Sequence, residues 1–496
     1  MILSSSLIEL ILLAVAATGV SATPLAPLAR QDLRSCLSSA VGGDASRAQF
    51  QDEPDFISKD VNYHNLNLQY KPFAILYPKT KDEISETLAC TVKHKRKVQP
   101  RSGGRDFINK CKCLGGADDA IVVDLKHFNH LSVDKTTGIA TVGPGNLLKD
   151  LVEGLNKAGR FMPHGSAPTV GVGGLLAVGG IGYTSRENGL SVDVMQEVEV
   201  VLANGTVTRA TKNSNKDLFW AMSGAGASFG IATEFKFETK PMLKELATFS
   251  YNYSTTDRAI LTRAMKAFNK LAADKSTSRK LSGSGTLSKN SFYMSGVFLG
   301  PKKDFDAINL DKYFPSGATK TVCGGVSWID YMSGLFRAAS NVPSQAYSYT
   351  KDLAVSGRNV PSNSAVERFV DFVQTTDSGA NYWSYLFDWY GGAVNDVDTD
   401  ATPFPRRDLR YFMSAYANTA QEKGEKTMKF IDDAIITLQN NKPADYLHYA
   451  GVPNLRLGGK AQEKYWGSNL PRLEKIKAAV DPNDLFSTPQ NVKPRQ

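Results

Sequence analysis

Two glycine-rich segments constrain this chain more than any other feature. The first is Arg101-Ser102-Gly103-Gly104-Arg105-Asp106. The second opens at His164-Gly165-Ser166-Ala167-Pro168-Thr169-Val170-Gly171-Val172-Gly173-Gly174 and runs on to Gly179-Gly180-Ile181-Gly182. Without a Cβ, glycine lets backbone N–H groups approach a ligand closely and adopt torsions closed to other residues. Clustered N–H groups of that kind suit phosphate oxygens. Two such loops in one chain read as opposite walls for a long dinucleotide-like ligand. They do not form a Rossmann site, because no G-x-G-x-x-G opens a helix within a βαβ unit.

The chain is 496 residues long, too long for one simple core, so two domains are expected. Helical and strand periodicities support an α+β class. Thr80 and Glu83 form a capping box before Ile84, Leu88 and Val92, which recur every four residues. Leu147, Leu148, Leu151, Val152 and Leu155 mark an amphipathic helix ending at Gly159. Val198, Val200 and Leu202 alternate into an Asn204-Gly205 hairpin turn. Beyond about residue 246, strand-like runs (247–253, 291–298, 382–390, 408–415) alternate with helical ones (258–273, 305–313, 419–440). That pattern predicts a second unit, one sheet covered by helices.

The net charge of +9 is spread along the chain, with its densest cluster at Lys93-His94-Lys95-Arg96-Lys97. That cluster reads as a solvated helix end, where cations suit the dipole, and not as a nucleic-acid surface. Residues 1–22 read as a secretory signal: an apolar run from Leu7 to Val15, then small residues ending Val20-Ser21-Ala22. No other segment is apolar for long enough to span a bilayer. Export agrees with sequons at Asn204 and Asn252, of which Asn252 is the preferred sugar site because Asn204 is also a turn signal. Of five cysteines, Cys111 and Cys113 stand too close in sequence to bond each other and supply too few ligands for zinc. One of them pairs with Cys323, or all three are buried thiols. No metal site is expected.

The glycine loops belong to a wider set of motifs. Pro100 to Gly104, Thr141-Val142-Gly143-Pro144-Gly145, Pro168 to Gly174, Asp217-Leu218-Phe219-Trp220, Gly224-Ala225-Gly226 with Phe229-Gly230-Ile231, and Asp481-Pro482 through Pro489-Gln490 together resemble the berberine-bridge-enzyme-like oxidases of the vanillyl-alcohol-oxidase fold. Within that family the look is closest to the fungal oligosaccharide oxidases. The resemblance covers nearly the whole chain after Cys36. It implies an α+β, two-domain flavoprotein with FAD held by residues 36–243 and 445–496, and a substrate-binding piece, residues 244–444, inserted between them. It implies FAD contacts from Arg101, Ser102, Gly103, Gly104, Arg105, Asp106, His164, Ser166, Ala167, Thr169, Val170, Gly173, Gly174, Gly179, Gly180, Gly182, Ile231 and Gln490. It also implies a Cys36–Cys90 disulfide.

Two departures fall on the cofactor. The family places a histidine at Arg105 and often a cysteine at Ala167, and both bond covalently to FAD. Neither residue here can do so, so FAD is expected without a covalent link. Arg105 either pairs with the pyrophosphate, which its guanidinium matches, or is a surface arginine. Valine at 170 is the oxidase-like choice for dioxygen access.

The catalytic positions of the family map onto Asp388, in Phe387-Asp388-Trp389-Tyr390-Gly391-Gly392, and onto Tyr449, in Tyr446-Leu447-His448-Tyr449. Alcohol oxidation needs a base for the hydroxyl proton. A phenol with a pKa of about 10 needs help at neutral pH, so Tyr449 is expected as base with Asp388 accepting or orienting its proton. His448 replaces a family asparagine and is an alternative base or a structural histidine. Gly451 replaces a family aspartate. The expected activity is a secreted, monomeric oxidase acting with dioxygen on a sugar, an alcohol or a secondary metabolite. The alternative is a relative without redox chemistry, a ligand-binding protein or cyclase.

Overall fold

The computed structural model describes residues 27–110, 120–340, 345–419, 422, 424–439, 442 and 446–495. The predicted signal and residues Cys111 and Cys113 lie outside them.

Three larger sheets organise the described residues, and the two-stranded pair Arg160–Phe161 with Lys240–Pro241 is a fourth. A four-stranded sheet runs in the order Ala48–Phe50, Ala74–Leu76, Ile121–Asp124, Val98–Arg101. Its last three strands are parallel, and each is almost wholly buried, which is why they read as apolar runs. The first glycine loop leaves the end of Val98–Arg101. A five-stranded antiparallel sheet follows, ordered Leu131–Val133, Ile139–Val142, Ile231–Glu238, Met195–Val201, Val207–Thr211. Asn204-Gly205 makes the expected turn between its last two strands, with Gly205 at φ 82°. Trp466, Leu473 and Val492 of the C-terminal segment pack into the core beside this sheet.

Seven antiparallel strands make the third sheet, ordered Thr319–Val326, Leu246–Ser254, Ser291–Phe298, Leu281–Ser288, Ala380–Trp389, Leu409–Thr419, Ser348–Ser356. One face is covered by helices Arg258–Ala273, Asn363–Thr375 and Glu425–Leu438, whose apolar stripes meet Tyr385, Phe387, Tyr411 and Met413. Side chains alternate along a strand. The intervening residues Ser384, Leu386 and Asp388 therefore share the opposite face with Phe412, Ser414 and Tyr416, which lie beside them in register. That face turns toward the rest of the chain, where Phe412 packs on Phe404 and Tyr449 and Ser284 meets the Tyr183 hydroxyl.

Some local expectations needed correction. Ile84 and Leu88 are buried in helix Lys81–Lys93, but Val92 is 47% exposed and Thr87 and Thr91 take its place. A 3.6-residue turn drifts away from a strict four-residue spacing, so the third member rotates out of the stripe. The helix expected over 305–313 is broken into Lys302–Asp306 and Leu310–Lys312, with Asn309 at positive φ between them. Strand Leu281–Ser288 was missed because its Ser/Gly alternation, LSGSGTLS, resembles a loop; close neighbours on both sides make it a strand.

Cys36 and Cys90 form the disulfide that the resemblance implied, joining Pro27–Ala40 to Lys81–Lys93. Cys323 is an exposed thiol, so the buried reading fails for it. Of the two sequons, Asn204 is exposed at its turn, whereas Asn252 is half-buried in a strand paired on both sides.

Candidate functional site

The two glycine loops meet. The Ser102 hydroxyl donates to the Pro144 carbonyl at 2.5 Å and accepts from the Gly173 N–H at 3.3 Å. A Cβ on Gly103 would lie 2.5 Å from the Gly171 nitrogen, and one on Gly171 would lie 2.1 Å from the Gly103 nitrogen. The contact exists only because both residues are glycine. Together they wall a cavity of about 320 Å³ lined by Ser102, Gly103, Gly104, Arg105, Asp106, Val170, Gly173, Gly174 and Tyr449. Leu125, Pro144, Gly226, Gly230 and Asn491, which were not expected as contacts, are among the other residues of the lining. A long backbone-lined cleft of this kind fits a dinucleotide cofactor.

Several expected contacts are not part of that lining. Arg101 is locked away by the Asp124 carboxylate and by the Asp60 carbonyl at 2.6 Å. Gln490 is buried, accepting from the Tyr465 hydroxyl and donating to the Asn454 carbonyl. Ile231 belongs to the core. His164 is buried, donates from Nδ1 to the Gly165 carbonyl at 2.6 Å and packs edge-on against Trp328. Burial pulls its pKa down to about 4, so it stays neutral. Its carbonyl would lie 1.7 Å from a Cβ on Gly182, so that glycine serves backbone packing. Ser166, Ala167 and Thr169 also lie outside the cavity lining, with Ala167 and Thr169 exposed. Gly179 stands against the Tyr449 ring instead, and a Cβ on Gly180 would lie 2.0 Å from the Ser191 hydroxyl oxygen.

Arg105 is not a surface arginine. It is half-buried in the cavity wall near Tyr416, and burial holds its pKa below the ordinary guanidinium value. A nearby anion would offset that cost.

A smaller cavity of about 140 Å³ adjoins the first and shares Leu175, Tyr449 and Val452 with it. Asp388, Tyr390, Ser414 and Asp352 line its far side. Burial raises the Asp388 carboxyl to about 7. No described group hydrogen-bonds to that carboxyl, and its charge acts on Tyr183, Tyr331 and Tyr390. The expected Asp388–Tyr449 hydrogen bond is absent. The Tyr449 hydroxyl accepts instead from the Gly180 N–H at 3.4 Å, and its ring packs on Phe404 and Phe412. Burial, with Asp352 adding to it, pushes this phenol further above its ordinary pKa. The phenol is therefore held in its protonated form at neutral pH.

His448 lines neither cavity. Its Nδ1 meets Asp352 Oδ1 at 3.0 Å, and both side chains are buried. Asp352 was missed by sequence reasoning, because it is a single carboxylate with no motif around it, in a strand buried at nearly every position. Gly451 has a steric reason: a Cβ there would lie 2.4 Å from the Tyr449 ring.

Comparison with known proteins gives the same direction. The model of the FAD binding domain family matches residues 72–211, and that of the berberine and berberine-like family matches residues 448–493. FAD-linked oxidoreductase sorD of Penicillium rubens is 35% identical over 92% of this chain and 98% of its own length. Chitooligosaccharide oxidase of Gibberella zeae is 29% identical over 96% and 97%. Among solved structures, carbohydrate oxidase from Microdochium nivale in complex with a substrate analogue superposes with a TM-score of 0.84 at 29% identity, covering 94% of this chain and 100% of that one. Glucooligosaccharide oxidase from Acremonium strictum, with its 6-S-cysteinyl, 8α-N1-histidyl FAD, gives 0.84 at 26% identity, covering 94% and 99%.

Proposed function

Because the chain belongs to the berberine-bridge-like FAD-linked oxidoreductases, we propose that it oxidises an alcohol carbon of a small sugar or secondary metabolite, with FAD held noncovalently and dioxygen as acceptor. The carrying observation is the pair of adjoining cavities, one lined by glycine backbone and one by Asp388, meeting at Tyr449. Residues 36–243 and 445–496 would hold the cofactor and residues 244–444 the substrate. This division agrees with a sheet drawn wholly from the inserted piece.

Ser102, Gly103, Gly104, Arg105, Gly173 and Gly174 would hold the cofactor. Arg105 contributes its charge in place of a covalent bond. When bound there, FAD would supply the hydride acceptor and the redox link to dioxygen. Asp388 is the group that ionises near neutral pH, so it takes the substrate hydroxyl proton. Gly180 already donates to the Tyr449 oxygen, which leaves the phenolic proton to hydrogen-bond the substrate oxygen. Roles thus shift from the sequence expectation: Asp388 is the base and Tyr449 positions. His448 takes no proton from substrate. Val170 stands in the cavity wall, where it governs dioxygen access. Export, a sugar at Asn204 and a monomeric state complete the proposal.

The test is a visible spectrum of the purified protein before and after acid precipitation, followed by hydrogen peroxide release on a panel of sugars and phenolic alcohols. Yellow colour moving to the supernatant, with peroxide from at least one substrate, is expected. A colourless protein that takes up no FAD would leave the ligand-binding alternative. Colour that stays with the pellet would refute noncovalent attachment.

A further inference from the structure

Tyr449 is held by a device that the glycine loops do not supply. Asp352 lies on Ser348–Ser356, the strand at one edge of the seven-stranded sheet, opposite Ser414 in register. Its carboxylate is fully buried. One oxygen accepts the Tyr449 backbone N–H at 2.6 Å, and the other meets His448 Nδ1 at 3.0 Å. The same strand takes the returning chain as a neighbour: Ala354 bridges Leu447, with the Ala354 N–H donating to the Leu447 carbonyl at 3.0 Å. The His448 N–H donates to the Lys464 carbonyl on the other side. A single carboxylate therefore fastens two consecutive residues of the C-terminal segment to the substrate-side sheet.

We infer that Asp352 is the positioning residue of the site, with His448 as its buried partner, and that it fixes the Tyr449 hydroxyl at the junction of the two cavities. A buried carboxylate must be satisfied by donors, and two donors on separate oxygens restrict its orientation. That orientation passes to Tyr449 through the backbone, one bond from its Cα. The ring is then caught between Phe404 and Phe412 and against Gly179 and Gly451. The negative charge beside the phenol also opposes a phenolate, so Tyr449 remains a donor. His448, read from sequence as an alternative base, acts through Asp352 instead. Asparagine at 448 would still offer an N–H to Asp352, whereas leucine would not.

This inference rests on the role given to Tyr449 above, so its test has one arm that needs no turnover. Hydrogen exchange across 446–452 in the FAD-loaded protein reads the clamp directly. Asp352→Ala should raise exchange of the Tyr449 amide at least tenfold with flavin content unchanged; unchanged exchange would overturn the clamp whether or not any substrate is found. The kinetic arm uses Asp352→Asn, His448→Asn, His448→Leu and Tyr449→Phe. Asp352→Asn and His448→Leu should lower kcat by ten- to a hundredfold with KM within threefold, and His448→Asn should keep kcat within threefold of the parent. The double variant Asp352→Asn/Tyr449→Phe should be no slower than Tyr449→Phe alone. Multiplying losses in the double variant, or a KM that rises as far as kcat falls, would refute action through Tyr449.

Discussion

Replacing Asp388 by asparagine should make the protein more stable and nearly inactive, and the two effects should share one pH dependence. The carboxyl is raised from 3.8 to about 7 by burial. In the unfolded chain it ionises near 3.9. The sign follows from linkage: with the folded pKa raised, ionisation of the unfolded chain is favoured first, so folding loses stability as pH climbs from about 4 to about 7 and loses no more above that. Each pH unit between the two pKa values is worth about 1.4 kcal/mol, giving an upper estimate of about 4 kcal/mol at pH 8 and about 1.5 kcal/mol at pH 5. Asparagine has nearly the same volume and carries no charge, so it recovers that loss. Thermal unfolding of wild type and Asp388→Asn at pH 5 and pH 8 should therefore show a gain that grows with pH. In parallel, wild-type kcat should fall about tenfold per pH unit below 7, as the base is protonated, while the variant should lie about 10²–10⁴ lower with no such limb. The charge of this carboxyl couples to the tyrosines Tyr183, Tyr331 and Tyr390, none of which titrates in that range. A stability change that is the same at both pH values, or an acid limb surviving in Asp388→Asn, would remove Asp388 as the ionising base.

Three further outcomes are expected. Gly171→Ala puts a methyl 2.1 Å from the Gly103 nitrogen and should separate the loops, lowering the FAD-to-protein absorbance ratio of the purified protein at least severalfold. Cys36→Ser/Cys90→Ser opens a loop with a sequence separation of 54, and the entropy estimate of about 4 kcal/mol predicts a clearly lower denaturant midpoint with the flavin environment unchanged before unfolding. Gly451→Ala directs a methyl at the Tyr449 ring and should lower kcat at least tenfold, with FAD retained; normal turnover would show that the ring position does not matter.

Much of this protein was legible in its sequence because the responsible forces are local. Glycine at 103 and 171 is required by backbone approach, and the glycine pattern announced a cradle before any coordinates existed. Alternation in 247–253 and 291–298 and the apolar spacing of 258–273 fixed strands and a helix within a residue or two. Resemblance added the disulfide and the two positions proposed as catalytic. Tertiary structure decided the rest, since it turns on who lies beside whom. Arg101 sits in the loop motif yet is spent on Asp124, an ion pair set by two parallel strands in register. Asp388 and Tyr449 come to one cavity without bonding, because Asp388 lies on the face of the sheet away from its helices while Tyr449 arrives from the C-terminal segment. Asp352 could not be found at all until the edge strand and the returning chain were brought together, 97 residues apart in sequence. Period and backbone torsion are properties of a short stretch of chain; the environment of a carboxylate is a property of its neighbours, and only the folded sheet supplies those.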